Sequence, residues 1–159
     1  LRDADAQQPG ADKLMIALIQ RVLSASVEVC GEPTGAIGHG ILALIGVERE
    51  DGERNVTRLA ERLLAYRIFQ DEQDRMNLSV KDVRGGLLLV PQFTLAADTS
   101  KGNRPGFSTA AEPDRATRLF DDLVTQLRQS HAPVETGRFG AEMIVSLQNH
   151  GPVTFWLQA

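Results

Sequence analysis

The chain has 159 residues, 42% of them hydrophobic and 24% charged, and a net charge of −4. This is enough chain for one domain with a sizeable core, and no apolar run approaches the ~20 residues that would span a bilayer. The acidic balance excludes a nonspecific nucleic-acid coat, which needs many phosphates neutralised, but leaves room for a protein that touches one end of a nucleic acid.

Residues 1–14, LRDADAQQPGADKL, are polar, contain Pro and Gly, and lack the positive start and apolar centre of a signal peptide. They read as a disordered extension or foreign remnant, and residues 15–159 as the single folded domain. A lone Cys30 rules out an intrachain disulfide framework and fits the cytoplasm. From Met15 to Val29 the β-branched near-alternation predicts one strand, or two with a kink near Ser24. Gly31 to Gly35 (GEPTG) reads as a turn cluster, and Ile41 to Val47 as a strand covered on both faces.

Val56, Leu59, Ala60, Leu63 and Leu64 follow the spacing of an amphipathic helix, with Asp51 as its expected N-cap. A short strand at Tyr66 to Phe69, a polar hairpin loop (DEQDRMN) and a buried strand from Gly86 to Leu95 come next. Ala116, Leu119, Phe120, Leu123, Val124 and Leu127 form a second helical stripe, with Pro113 near its first position. Strands near Val134 to Arg138, Glu142 to Gln148 and Val153 to Gln158 complete the chain. Many strands with two amphipathic helices, not in regular alternation, predict an α+β fold: β-rich, layered or barrel-like, antiparallel or mixed sheets with the helices packed outside.

The standard catalytic sets are missing. His39, His131 and His150 are scattered, no HExxH or GxSxG motif occurs, and Gly35, Gly38 and Gly40 precede no P-loop lysine. No metal or cofactor is expected. Two stretches are not explained by packing. In one, a buried strand ends in Pro91-Gln92-Phe93-Thr94 and opens into a loop with Lys101 and Arg104; a site and a capped strand edge beside a solvated loop both fit it. In the other, Gly151-Pro152 interrupts two strand-like runs, as a tight turn or as an ordered cis-proline would.

Together the two stretches resemble the D-aminoacyl-tRNA deacylase family, whose members carry a Ser-Gln-Phe-Thr-type motif and a C-terminal Gly-Pro motif. The resemblance runs from Met15 to about Ala159. It takes in Gln20-Arg21-Val22, Met76-Asn77-Leu78-Ser79-Val80, Lys101-Gly102-Asn103-Arg104-Pro105 and Asn149-His150-Gly151-Pro152-Val153-Thr154. One position departs: Pro91 stands where the family has serine, which removes a hydroxyl and a backbone donor.

The resemblance implies a cytoplasmic homodimer that hydrolyses the ester between a D-amino acid, or mischarged glycine, and the 3′ end of tRNA. It further implies that Gly151 and Pro152, in cis, reach into the partner's pocket as a chiral gate supported by Arg21. Gln92, Phe93 and Thr94 would line the pocket for the terminal adenosine and the ester. Thr94 is the obvious hydroxyl nucleophile, yet no general base is tied to it. Attack by water, with backbone donors near Phe93 and help from the tRNA 2′-OH, is the favoured chemistry. Lys101 and Arg104, with Arg75 and Lys81, are candidate tRNA contacts. Two rivals stand beside this reading: an RNA-end-binding module without catalysis, which Pro91 keeps open, and a general small-ester hydrolase.

Overall fold

A computed structural model describes residues 14–159; the expected N-terminal extension lies outside the described residues except for Leu14. Strand β1 (Ile16–Val29) is unbroken and organises the sheet. Along one edge it pairs antiparallel with β2 (Glu32–Ile37) and β3 (Gly40–Gly46), which lie end to end. Its other edge pairs with β8 (Ile144–Gln158). Beyond β3 follow β6 (Gly86–Pro91) and β7 (Val134–Thr136), both in parallel register. The two-stranded β4 (Phe69–Gln70) and β5 (Met76–Leu78) form a separate hairpin.

The mixed sheet nearly closes into a barrel, because β2 curls over onto β7. A Cβ built on Gly35 would stand 2.8 Å from the Thr136 carbonyl oxygen, so this approach requires glycine. Parity divides the side chains between two apolar layers. Ile41, Ala43, Ile45, Leu87 and Leu89 face one core, together with the helices. Leu42, Leu88 and Val90 face the barrel interior with Val22, Ala25, Val27 and Ile37. A strand buried on both faces needs no polar alternation, which is why ILALIGV and GLLLV are continuously apolar.

Helices α1 (Glu53–Ala65) and α2 (Pro113–Ser130) bury the stripes read from the sequence, and Pro113 stands at the first turn. None of the helices among the described residues is long and apolar enough to cross a membrane.

Several boundaries differ from the sequence reading. The first turn is Cys30-Gly31, both at positive φ (51° and 77°), as a two-residue hairpin demands; Glu32 to Gly35 belong to β2. Tyr66 caps α1 by donating its N–H to the Arg62 carbonyl, so strand pairing starts only at Phe69. β6 stops at Pro91, and the two strands expected at Glu142 to Gln148 and Val153 to Gln158 are one, β8.

Asp51 is not the N-cap either. Gly52 takes that position, and its N–H donates to the Asn55 side chain at 2.9 Å. Asp51 is fully buried; its Oδ2 accepts the Glu48 N–H at 2.7 Å, while Oδ1 has no partner among the described residues. Burial, reinforced by the Glu48 charge, pushes this carboxyl up to about 7. A folded-state value above the unfolded 3.8 means that the folded protein holds the proton more tightly. The associated stability is full below the unfolded value and is lost as pH rises toward 7, by at most ~4 kcal/mol at ~1.4 kcal/mol per unit. Asp51→Asn keeps an acceptor for the Glu48 N–H and removes the titration. Urea unfolding should therefore show the wild type losing stability between about pH 4 and 7, and the variant losing clearly less; equal slopes would contradict this.

Candidate active site

The end of β6 builds the first half of the site. Pro91 is the last paired residue, opposite Ile45, and the next N–H, that of Gln92, donates to the Ile45 carbonyl at 2.7 Å. Donors alternate sides along a strand, so the position of Pro91 faces β7, whose pairing has already ended at Leu89–Thr136. The proline therefore breaks no ladder bond, as expected at a strand end.

Phe93 to Ala96 then coil into a 3₁₀ turn, closed by Leu95 N–H to the Gln92 carbonyl and Ala97 N–H to the Thr94 carbonyl. The first amides of such a turn precede its first i+3 bond, so the N–H groups of Phe93 and Thr94 are not used by it. The Gln92 side-chain amide meets the Thr94 hydroxyl at 2.5 Å. A carboxamide cannot accept a proton as a base, so Thr94 lacks the partner that a hydroxyl nucleophile needs.

Pro91, Gln92 and Phe93 border a largely apolar cleft of about 480 Å³. Its floor is formed by Ile45 of β3 and Val47 just past its end, and further walls come from Ala111, from Pro113 and Phe120 of α2, and from Phe139, Ala141 and Met143 before β8. The sequence reading missed these. Pro113 and Phe120 were legible only as helix residues, since periodicity does not separate the part of an apolar face that covers a core from the part that lines a cleft. Phe139, just before Gly140, was the one available signal: an aromatic residue in a glycine-flanked loop.

The second half is in β8. Gln20 pairs with Thr154 and Val22 with Asn149, so His150 to Val153 bulge out opposite Arg21. The Gly151-Pro152 peptide is cis. Arg21, only 4% exposed, donates from Nε to the His150 carbonyl at 3.1 Å and from Nη1 to the Ile68 carbonyl at 2.8 Å. Asn149 accepts the Val153 N–H (3.1 Å) and donates to the Thr154 hydroxyl (2.9 Å), pinning the base of the bulge. Gly151 and Pro152 themselves are exposed. Beside them His39 packs edge-on against Phe69; burial, then the charges of His150 and Arg21, hold its imidazole below the usual histidine value.

The two halves do not meet within one chain. Arg21 pairs with Ile41, whereas Gln92 bonds to Ile45, four residues further along β3. At ~3.3 Å per residue the bulge and the 3₁₀ turn stand at least about 13 Å apart. Lys101 and Arg104 lie on the loop beside the 3₁₀ turn, while Arg75 and Lys81 lie near the β4–β5 hairpin.

Fold and site together define a small α+β barrel-like domain with an apolar cleft at the end of a buried strand and a braced backbone projection elsewhere. Residues 18–158 match the family model described as D-Tyr-tRNA(Tyr) deacylase, and the chain belongs to this family. It is 63% identical over 144 residues to a D-aminoacyl-tRNA deacylase of Thioalkalivibrio sulfidiphilus (91% of this chain, 97% of that one). It is 61% identical to that of Methylococcus capsulatus (91% and 94%). Among solved structures it resembles a c-Myc DNA unwinding element binding protein (39% identity, TM-score 0.86, 91% and 98% covered). It shares its fold with a probable eukaryotic D-amino acid tRNA deacylase (15% identity, TM-score 0.80, 91% and 99% covered).

Gly151 is the most demanding position of the bulge. Its φ is +133°, and a Cβ there would stand 2.6 Å from Val153 Cγ2, 3.0 Å from Val153 N and 3.2 Å from Arg21 Nη2. Gly151→Ala should cost ~1–3 kcal/mol in chemical denaturation and lower turnover at least about tenfold, by analogy with other small misplacements of reacting geometry. Unchanged stability and rate would show that the bulge tolerates a side chain.

Proposed function

We propose that this chain hydrolyses the ester joining a D-amino acid, or mischarged glycine, to the 3′ end of tRNA, in the cytoplasm, and does so as a homodimer. The activity follows from the family. The observation that carries the site assignment is the cleft at the end of β6, with the N–H groups of Phe93 and Thr94 unused by their own turn.

The terminal adenosine fills the apolar cleft and presents the ester carbonyl to these amides. Water adds to the carbonyl carbon, and the amides hold the negative oxygen of the tetrahedral intermediate, an effect worth ~10²–10³-fold per donor. Collapse breaks the bond to the 3′-oxygen, which takes a proton with help from the neighbouring 2′-OH. The products are a free D-amino acid and a tRNA with an intact 3′ end. The ester is already activated, so no histidine base is required.

Chirality is read by the Gly151-Pro152 backbone. A ~10⁴-fold preference needs roughly 5.5 kcal/mol, while one methylene-scale contact gives ~1–3 kcal/mol; collision with a braced wall supplies the difference. The bulge stands too far from its own Gln92, so each gate serves the cleft of the other copy. Among the described residues the outer edge of β8 pairs with no other strand, and its Ile144 and Leu147 are 66% and 37% exposed. An unpaired edge with exposed apolar residues is a surface that a second copy would cover.

Purified protein should release D-Tyr from D-Tyr-tRNA and spare L-Tyr-tRNA; failure to cleave the D ester would end this reading. Thr94→Ala should retain turnover within about tenfold, the size of a lost pocket contact, and complete loss would make Thr94 the nucleophile. The double change Ile144→Asp with Leu147→Asp should give monomers in sedimentation and abolish turnover, since each cleft then lacks its gate. Full activity in a monomer would refute the shared site.

A further inference from the structure

Two aromatic rings, one at the rim of the cleft and one just beyond it, are used neither by the core nor by the ester chemistry. Phe93 and Phe107 have ring centroids 5.3 Å apart and planes inclined by 47°. Phe93 borders the cleft and Phe107 does not, so the pair leads outward from cleft to solvent. They are 58% and 43% exposed, whereas Phe69 and Phe120 are buried in the main core.

Phe107 is held in place rather than loose. Its neighbour Gly106 exchanges both backbone hydrogen bonds with Asp98 (2.7 and 2.9 Å). The Asp98 carboxylate in turn accepts the Ser100 N–H at 2.9 Å and the Ser100 hydroxyl at 2.6 Å. This closes a short flap between Asp98 and Gly106. The tip of the flap carries Lys101 and Arg104, both exposed and neither bonded to another described side chain. On a chain of net charge −4, a flap with two free cations beside an exposed ring is complementary to a polyanion that also carries flat apolar faces. Unpaired nucleotides have that composition, and proteins bind them by stacking bases on aromatic rings and meeting phosphates with Lys or Arg.

We propose that Phe107, Lys101 and Arg104 form a platform for the unpaired nucleotides that precede the terminal adenosine of the tRNA. The adjoining base stacks on the outward face of Phe107, and its phosphates meet Lys101 and Arg104. The platform rests on the deacylase reading, and extends it from the ester and its adenosine to the strand that delivers them. It also gives the enzyme a means to prefer tRNA over small D-aminoacyl esters, because the small ester has nothing to lay on Phe107.

The test compares two substrates: D-Tyr-tRNA, and the D-tyrosyl ester of adenosine, which lacks the preceding nucleotides. Phe107→Ala should lower kcat/KM for the tRNA roughly 10- to 100-fold, the range for one lost base stack, and leave the adenosine ester within twofold. Phe107→Trp should restore the tRNA rate. Lys101→Ala with Arg104→Ala should weaken tRNA use and flatten its salt dependence. Equal loss on both substrates would reduce Phe107 to a support of the cleft, and no loss on either would also overturn the platform. If the wild type cleaves neither ester, the deacylase reading fails on its own. Titration with the trinucleotide CCA and with adenosine then decides: the platform requires tighter binding of CCA and loss of that advantage in Phe107→Ala, and equal affinities refute it.

Discussion

A guanidinium with 4% exposure must have its hydrogen bonds satisfied inside the protein, and Arg21 meets this demand with backbone carbonyls. One is that of His150, in the bulge of β8; the other is that of Ile68, just before β4. This one side chain therefore ties the projecting Gly151-Pro152 to the middle of β1 and to the segment leaving α1. The register of β1 against β3 on one side and β8 on the other places the clamp, so the geometry of the bulge depends on the pairing of the whole sheet. The charge can stay buried because the acceptors are fixed dipoles, and removing either would leave a buried donor unmatched.

The same preference for backbone over side chains runs through the site. The proposed oxyanion donors are amides of a 3₁₀ turn, and the proposed chiral wall is a Gly-Pro peptide. The one hydroxyl in the cleft motif, that of Thr94, is engaged by a carboxamide. A filter made of backbone works for substrates whose side chains differ, because it meets only the part of the amino acid common to all of them. It also leaves few marks in a sequence: no triad and no paired carboxylates.

This explains why some features were legible and others not. The stripes Val56–Leu63 and Ala116–Leu127 determine helices through local spacing, and both are buried where expected. The doubly covered strands β3 and β6 were equally plain from their apolar runs. Asp51 was misread because a carboxylate before a helical stripe usually caps it, whereas here Asn55 serves Gly52 and Asp51 turns inward. The turn at Glu32–Gly35 was misread because Gly35 is required by the approach of β7, a neighbour 101 positions away in the chain. The cleft walls Phe139 and Phe120 come from segments that share no local pattern with Gln92.

The sequence by itself determined the two helices and their buried faces, the apolar strands and, through its motifs, the family. Those are properties of neighbouring residues, set by side-chain spacing and backbone propensity. Only the tertiary structure decided that β8 continues through Gly151-Pro152 as a bulge, and that Pro91 ends β6 without breaking a ladder bond. It also decided that the Gly151-Pro152 bulge and the cleft stand apart in one chain. Each of these depends on hydrogen-bond partners far away in sequence: Arg21 for His150, Ile45 for Gln92, and β1 for β8. A glycine-proline pair reads as a turn until the guanidinium that holds it in the sheet is in view.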